Sequence, residues 1–510
     1  MLQNERVTTP IWKKIIYLIL ALIIFALQIA IYYFAFMGSF AGSQALYVIG
    51  ICLFVVAAIF IINNESSVSY KLTWIVLIAI LPFFFTFLYI ANYSAKIMPK
   101  RKRKKIEKLA KNNKNINYVE YEGEDSYAKR LAKLVYTNSY YQIWNNTKVT
   151  FFKDASLKQH DMFDKIRQAK KYVFLEYFIL SDGILLNELL NILEELGKKG
   201  IEIKIIYDDI GSKRALSKKT INRFVSIPNL KMAVYEPLGL NINPAINYRD
   251  HRKICIIDGI YSYCGGDNIA DEYVHMKERF GFWRDNAVLL EGEATKSFIT
   301  MFLEMWYTST REQLDITNYL TSTDVINNLS FVIPFADGPN SDTNTAYDVF
   351  KSLINEANKT LYISTPYLII DDEMINAICL QAKSGVDVKI LVPKKPDKKT
   401  VFMMTRAHYE KLLKSGAQIY EYTPGFNHAK NIIVDDKYAF CGTVNMDYRS
   451  LFLHYECGVV LINDKEVTSM QKDFIKALEE SYNYTLADWN KRNPFSKFFA
   501  FLLRLFAPML

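Results

Sequence analysis

The N-terminal fifth of the chain is its most apolar part, and short polar breaks divide it into three segments. Residues 15–36, 45–62 and 72–93 each lack a charged side chain. An α-helix crosses a bilayer with about 20 apolar residues, so each segment is long enough to span one. Because no small-residue cleavage site follows the first segment, we predict a retained span there rather than a signal peptide.

From about residue 120 the pattern changes to short apolar, β-prone runs that alternate with amphipathic helical spacing. This alternation occurs twice along the chain, in the same order. In the first half the helices are predicted at 161–171 and 185–199, and the strands at 172–179 and 201–207. In the second half the helices are predicted at 348–358 and 374–383, and the strands at 360–364 and 386–392.

The two halves agree in further details that indicate an internal duplication. A glycine closes the second helix of each half, and a later strand ends in Tyr-Glu in both. Alternating strands and helices favour a mixed, largely parallel sheet with helices on both faces. The prediction is therefore an α/β fold of two similar lobes, residues 106–330 and 331–510, preceded by a transmembrane helical region, residues 1–105.

The net charge of +9 is concentrated directly after the third apolar segment. Residues 96–114 contain ten Lys or Arg and one Glu, which accounts for the whole excess. A nuclease usually spreads basic residues over its binding face, so this distribution disfavours a nucleic-acid partner. The run Lys100–Lys105 is instead predicted to lie against anionic lipid headgroups.

Basic residues near the spans also bear on membrane orientation. With three spans, the N-terminus and the two lobes lie on opposite sides of the membrane. The basic run after the third span favours lobes at the cytoplasmic face of a bacterial plasma membrane, whereas Lys13 and Lys14 favour the reverse. We expect a multi-pass protein with cytoplasmic lobes.

The six cysteines show no C-x-x-C spacing. Cys255, Cys264 and Cys441 lie in apolar, strand-like runs and are predicted to be core residues. These cysteines indicate neither a disulfide framework nor a zinc site. We expect no cofactor.

The strongest chemical signal is an eight-residue pattern, H-x-K-x4-D, that occurs once in each half. It spans residues 251–258 and 428–435, and a mostly apolar run precedes each Asp. A glycine-containing turn that ends in Asn268 or Asn445 follows each copy at the same offset. Side chains two positions apart on a strand share a face, so the His and Lys of each copy are predicted to project together.

Two imidazoles and two ammonium groups are suited to reaction at a phosphate diester. Lys253 and Lys430 would hold the phosphate oxygens, while one of His251 and His428 attacks phosphorus and the other protonates the leaving alcohol. A single H-x-K is commonly a half-exposed strand pair. Two copies with matching turns favour the catalytic interpretation.

Four acidic residues accompany these groups. Asp285 and Glu456 follow the glycine turns at equivalent places, and each could orient an imidazole through its second nitrogen. A surface ion pair is the alternative for both. Asp258 and Asp435 complete the motifs and are included among the catalytic residues, although they could instead end the strand and fix the following turn.

At these residues the sequence resembles the phospholipase D superfamily, whose signature is the duplicated H-K-D motif. The complete motifs, the apolar spans and the run Phe280–Asp285 look like bacterial cardiolipin synthases of the phospholipase D type. The resemblance covers about residues 120–490, and it implies one active site between two lobes, a phosphohistidine intermediate and no metal. One departure is Gly266, where the motif often has Ser; Thr443 stands in the second copy.

The implied reaction joins two phosphatidylglycerols into cardiolipin and releases glycerol. The resemblance favours His251 as the nucleophile and His428 as the acid, with Asn268 and Asn445 binding the phosphate beside the lysines. A membrane-bound phospholipase D that uses water as acceptor would need the same residues, and the sequence leaves this alternative open. A nuclease and an inactive scaffold are disfavoured, because the lobes are neutral and both motifs are complete.

The C-terminal stretch, residues 494–510, is apolar with two spaced cations and is too short to span a bilayer. It is predicted to be an interfacial membrane anchor, with a helix packed on the lobes as the alternative. The resemblance accounts for the second and third spans and leaves residues 15–36 as an additional one.

Overall fold

The computed structural model describes most of the chain in two compact units. Among the described residues, the helical unit lies within residues 11–96, 248 and 501–509, and the lobed unit lies within residues 121–236 and 249–500. The basic run Lys100–Lys105 lies outside the described residues. The described residues are 11–37, 41–64, 67–96, 121, 123–236, 248–322, 330–339, 341 and 343–509.

The helical unit contains four helices near the N-terminus: Ile11–Met37, Ala41–Ile62, Val68–Ile80 and Pro82–Lys96. By length and composition, the first two could cross a membrane, over Ile19–Met37 and Gln44–Ile62. Many of their apolar side chains are exposed, such as Phe36 at 88% and Val56 at 66%. In water such exposure would be unfavourable, so these surfaces are suited to lipid.

The third predicted span is two helices instead of one, because the chain leaves helical geometry at Leu81, directly before Pro82. Proline has no N–H and disfavours helical geometry in the residue before it. The first helix pairs with backbone groups at this break. Tyr32 Oη donates to the Ile80 carbonyl at 2.8 Å, and Gln28 Oε1 accepts from the Phe84 N–H at 3.0 Å.

The first lobe is built on a seven-stranded sheet in the order β1-β8-β6-β5-β2-β3-β4. Its strands are β1 Thr147–Phe152, β2 Tyr172–Tyr177, β3 Glu202–Asp208, β4 Leu230–Tyr235, β5 Lys253–Ile257, β6 Tyr261–Gly265 and β8 Ala287–Gly292, with the short β7 Phe282–Arg284 outside this sheet. Its helices are Ser126–Ser139, Ala155–Arg167, Ile184–Lys198, Asp209–Ser212, Lys218–Ser226 and Thr295–Thr310, with 3-10 turns at Asp271–Val274 and Ile316–Tyr319.

The second lobe repeats this sheet in the order β9-β18-β16-β15-β10-β12-β13, and β19 adds an eighth strand at the edge. Its sheet strands are β9 Phe331–Asp337, β10 Thr360–Ser364, β12 Asp387–Pro393, β13 Gln418–Tyr422, β15 Asn431–Val434, β16 Tyr438–Gly442, β18 Glu456–Ile462 and β19 Ser481–Tyr484. The short strands are β11 Leu368–Ile369, β14 Gly425–Asn427 and β17 Met446–Asp447. Its helices are Thr345–Glu356, Asp372–Lys383, Lys399–Ala407, Tyr409–Lys414, Tyr448–Phe452, Lys465–Glu479 and Leu486–Asn490. The last helix, Pro494–Arg504, begins in the lobed unit, and the 3-10 turn Ala507–Met509 belongs to the helical unit.

The matching strand orders confirm an α/β fold of two similar lobes with mixed sheets. The expectation of largely parallel sheets is wrong, because within the two large sheets, as far as they are described, only β2-β3-β4 and β10-β12-β13 pair in parallel. The other pairs in these two sheets are antiparallel, and tight turns connect two of them, β5-β6 and β15-β16.

One large apolar core joins the two lobes within their common unit. Phe174 and Ile254 from the first sheet belong to it together with Phe440 and Val460 from the second, and helix Thr295–Thr310 is buried against them. Burial of this extent, at about 25 cal/mol per Å² of apolar surface, fixes one lobe against the other. The strands that carry the motifs therefore stand on a rigid base.

Candidate active site

The two motifs meet because each lobe completes its motif strand with backbone from the other lobe. The His251 N–H donates to the Tyr455 carbonyl at 2.9 Å. The His428 N–H donates in the same way to the Arg284 carbonyl at 2.7 Å, next to the parallel pairing of β14 with β7. This reciprocal backbone pairing between the lobes brings both histidines to one site between the sheets.

Each imidazole is bonded to an acidic side chain of the opposite lobe. His251 Nδ1 lies 2.9 Å from Glu456 Oε1, and His428 Nδ1 lies 2.6 Å from Asp285 Oδ2. Both histidines are buried, with 8% and 7% of their surface exposed, and both acids are fully buried. With Nδ1 held by a carboxylate, the Nε2 of each ring is the nitrogen left for chemistry.

The two lysines lie beside the histidines of their own motifs, as their spacing predicts. Lys253 Nζ donates to the His251 carbonyl, and Lys430 Nζ donates to the His428 carbonyl. Burial lowers the pKa of each ammonium to about 8, although neighbouring carboxylates oppose the shift. Near neutral pH both lysines thus carry a charge that an anionic phosphate can neutralise.

The second residue of each glycine turn, Gly266 or Thr443, determines how the acid of the same lobe is held. Thr443 Oγ1 donates to Glu456 Oε2 at 2.5 Å and also accepts from the Cys457 N–H at 3.0 Å. A Cβ at Gly266 would lie 2.1 Å from Asp285 Oδ1, so only glycine leaves room for this carboxylate. Gly266 is therefore required by the shorter acid, and the hydroxyl of Thr443 holds the longer one.

The pKa values of the two carboxylates are shifted in opposite directions. Burial raises the pKa of Asp285 to about 6, despite the opposing charge of Lys430. Burial also acts to raise the pKa of Glu456, but the attraction and hydrogen bond of His251 outweigh it and lower the pKa. Burial lowers the pKa of both catalytic imidazoles, which favours neutral rings beside the acids.

The two predicted phosphate ligands are both buried in the site region. Asn268 Nδ2 donates to Tyr273 Oη at 2.7 Å, and its Oδ1 accepts from the Ile179 N–H at 2.9 Å. One amide hydrogen of Asn268 is left for a ligand. The Oδ1 of Asn445 has no hydrogen-bond partner within the described part of the chain.

Asp258 and Asp435 lie apart from the histidine cluster, so the structure does not bring these two members of the predicted catalytic set to the site. They stand at the far ends of β5 and β15, roughly 15 Å along the strand from the lysines at ~3.3 Å per residue. The carboxylate of Asp258 accepts three backbone N–H bonds from residues 170–172, at 2.7–2.9 Å. Asp435 accepts the same three bonds from residues 358–360. These bonds favour the structural alternative for both residues.

Comparison with known proteins agrees with this geometry. Residues 162–306 and 350–478 match the family described as cardiolipin synthase, PLD-like domain. The chain is 33% identical to cardiolipin synthase 2 of Bacillus anthracis, over 90% of each chain. It is 36% identical to an uncharacterized protein of Streptococcus mutans, over 89% of this chain and 99% of that one.

The chain belongs to the cardiolipin synthase family. A solved phosphatidylserine synthase of Haemophilus influenzae Rd KW20 shares the fold, with a TM-score of 0.56 at 15% identity. The match covers 79% of this chain and 97% of that one. The resemblance drawn from the duplicated motif is thereby confirmed.

Around the motif histidines, the structure also places aromatic side chains and a third histidine. These residues were not predicted from the sequence. Tyr273, Trp283 and Phe426 surround His428, with ring centroids 5.6, 5.4 and 5.9 Å from it. The ring of His454 lies 5.6 Å from that of His251. Trp283 and His454 each stand two residues before the acid, so aligning the two runs could have identified them.

One group of possible metal ligands occurs among the described residues, formed by His251, His454 and Glu456 within 4.8 Å of one another. His251 and Glu456 are already hydrogen-bonded to each other, and the Lys253 ammonium lies close enough to affect the charge of both. A cation there would displace the bond that orients His251. The arrangement suits imidazole chemistry on an anion better than metal binding.

Proposed function

We propose that the protein is a phosphatidyltransferase that joins two phosphatidylglycerol molecules into cardiolipin and releases glycerol. The observation that supports this proposal most directly is the pair of buried imidazoles, each held at Nδ1 by an acid of the opposite lobe. Relatives named cardiolipin synthase in Bacillus anthracis and Bacillus cereus support the choice of reaction.

In the first step, His251 Nε2 attacks phosphorus of the first phosphatidylglycerol. The bond from phosphorus to the glycerol oxygen breaks on the opposite side, and His428 protonates that oxygen. His428 must enter this step as the imidazolium, so the ring takes up a proton when the anionic phosphate binds, because that negative charge raises its pKa. Glu456 accepts the hydrogen bond from Nδ1 of His251 and stabilises the positive charge that develops on the phosphorylated ring.

In the second step, the terminal hydroxyl of another phosphatidylglycerol attacks the phosphohistidine. His428 takes the hydroxyl proton, the new phosphorus–oxygen bond forms, and the electron pair of the phosphorus–nitrogen bond returns to His251 Nε2. The exchange therefore needs no redox or cofactor chemistry, only two proton transfers at one imidazole.

The difference between the two acids supports this assignment of the histidines. Glu456 is bonded by both His251 and Thr443, so it stays ionised beside a ring that becomes positively charged. Asp285 has a raised pKa, which suits it to a partner that takes up and returns a proton. Trapping the phosphorylated intermediate and mapping it to a peptide with residue 428, and none with residue 251, would reverse the assignment.

Four side chains are proposed to hold the phosphate during both steps. Lys253 and Lys430 neutralise charge on the non-bridging oxygens, which grows as phosphorus becomes five-coordinate. Asn268 and Asn445 add amide hydrogens. All four are buried, so water does not screen these contacts strongly.

The deciding experiment uses purified full-length protein in lipid nanodiscs with labelled phosphatidylglycerol as the only substrate. Cardiolipin with an equal amount of glycerol supports the proposal. Phosphatidic acid without cardiolipin would mean that water is the acceptor and that the enzyme is a phospholipase D. His251→Ala and His428→Ala should both lose activity while remaining folded, and activity in either variant argues against the two-histidine mechanism.

Two apolar helices and family membership associate the chain with a membrane. We propose further that it is multi-pass, with the lobes at the cytoplasmic face of a bacterial plasma membrane and no nucleic-acid partner. Helix Pro494–Arg504 supports an interfacial anchor, because Phe495, Phe498 and Phe499 are 84%, 61% and 51% exposed. Cysteine labelling in intact and in permeabilised cells tests on which side of the membrane the lobes lie.

A further inference from the structure

The two reacting histidines stand in different surroundings. Tyr273, Trp283 and Phe426 bring three aromatic rings within 6 Å of the His428 ring. We call these three rings the aromatic wall. They form a separate small core cluster with Ala155 and Ala270. An apolar wall of this kind leaves water few hydrogen-bonding partners on the His428 side.

The His251 side lacks a matching wall in the described part of the chain. Phe178 lies 5.1 Å from the His251 ring, and His454 lies 5.6 Å from it. His454 occupies the position that Trp283 holds in the other lobe, so a polar ring replaces an apolar one. The near-symmetry of the two lobes is broken at this position.

Trp283 also carries an unused hydrogen-bond donor. Its side chain is 6% exposed, and its indole Nε1 is buried with no hydrogen-bond partner among the described residues. A buried indole N–H normally has a partner. The ring is held on two sides by Tyr273 at 4.8 Å and Phe426 at 5.0 Å, so the donor has a fixed direction.

We propose that the aromatic wall is the acceptor subsite, which binds the glycerol headgroup beside His428 and keeps water away from the phosphohistidine. The inference rests on the proposed function and deepens it. Attack by His251 expels glycerol on the opposite side of phosphorus, which is the side of His428. The second phosphatidylglycerol must enter through the same place, so one subsite serves both alcohols.

Glycerol fits this wall better than water does. Its C–H groups can pack on the indole and phenyl rings, and a hydroxyl oxygen can accept from Trp283 Nε1. Water can make the hydrogen bond alone and gains nothing from the rings. The wall therefore favours transfer to an alcohol, which yields cardiolipin, over the same step with water, which yields phosphatidic acid.

The test compares three variants of the full-length protein in nanodiscs. Trp283→Phe keeps the wall and removes the N–H, while Trp283→Leu opens the wall. Phe282→Leu is the matched control, because Phe282 is the adjacent aromatic residue, is 44% exposed and stacks on His275 away from the site. Two quantities are measured: the ratio of phosphatidic acid to cardiolipin, and the concentration of labelled glycerol that half-saturates exchange into phosphatidylglycerol.

Loss of one neutral hydrogen bond should raise the half-saturating glycerol concentration about fivefold in Trp283→Phe. The ratio of phosphatidic acid to cardiolipin should rise about tenfold in Trp283→Leu and stay unchanged in the control. Both readouts come from active molecules, so they do not depend on how much of a variant folds. Lower turnover with both quantities unchanged would overturn the inference. A wild-type protein that makes only phosphatidic acid would instead refute the proposed function.

Discussion

The carboxylates that end the motif strands offer a sharp test of a structural rather than catalytic role. Asp258 Oδ1 accepts from the backbone N–H groups of Lys171 and Tyr172, at 2.7 and 2.9 Å, and Oδ2 accepts from that of Lys170 at 2.7 Å. Its φ of 54° lies in the left-handed region, where Asn is tolerated better than Ala. The substitutions Asp258→Asn and Asp258→Ala should therefore differ in a predictable way.

Asn keeps the oxygen that accepts two bonds and places an amide N–H against the third donor. We expect Asp258→Asn to lower the free energy of unfolding by about 2 kcal/mol, the typical value of one charge-assisted bond. Asp258→Ala loses all three bonds and adds backbone strain, so the loss should reach about 6 kcal/mol. Asp435→Asn, in the matching position, should behave like Asp258→Asn.

The assay pairs denaturant unfolding of the detergent-solubilised protein with the cardiolipin formation rate per folded molecule. The expected result for Asp258→Asn is a lower unfolding free energy with a turnover number within a few-fold of wild type. A turnover number reduced a thousandfold at unchanged stability would refute the structural role and return this residue to the catalytic group.

Further predictions concern the dyad formed by His428 and Asp285 and the charge of the lysines. Gly266→Ala places a methyl group where Asp285 stands, so we expect turnover to fall about a hundredfold from a displacement of roughly 1 Å, with substrate KM nearly unchanged in steady-state kinetics. The profile of kcat/KM against pH should be bell-shaped, with a rising limb near pH 6 as Asp285 ionises and a falling limb near pH 8 as Lys253 and Lys430 lose their charge. Asp285→Asn should remove the rising limb as well as most of the rate, and a limb that persists at pH 6 would assign it to another group.

The sequence predicted local structure well where a repeated pattern carried the information. The strand predicted at 360–364 is observed with the same bounds, and the one predicted at 201–207 is shifted by one residue. Such β-prone runs between helices are local signals that tertiary packing did not override. The spacing of His and Lys likewise predicted that they share one face of their strand.

Other features depended on contacts between distant segments. Nothing in the spacing indicated that Glu456 pairs with His251 and Asp285 with His428, because that choice depends on how the lobes dock. The aromatic wall is assembled from a helical turn and two short strands, and none of its members stands in the motif. The break at Leu81 was also missed, since a single proline in an apolar run is often tolerated within a membrane helix.

The crossed pairing of imidazoles and acids makes each lobe depend on the other. Neither lobe alone holds a complete dyad, so a single lobe would be inactive as a monomer. Two identical lobes related by a twofold axis would, however, form two complete and identical dyads. In one chain the two copies need not be identical, and glycine serves aspartate in one while threonine serves glutamate in the other.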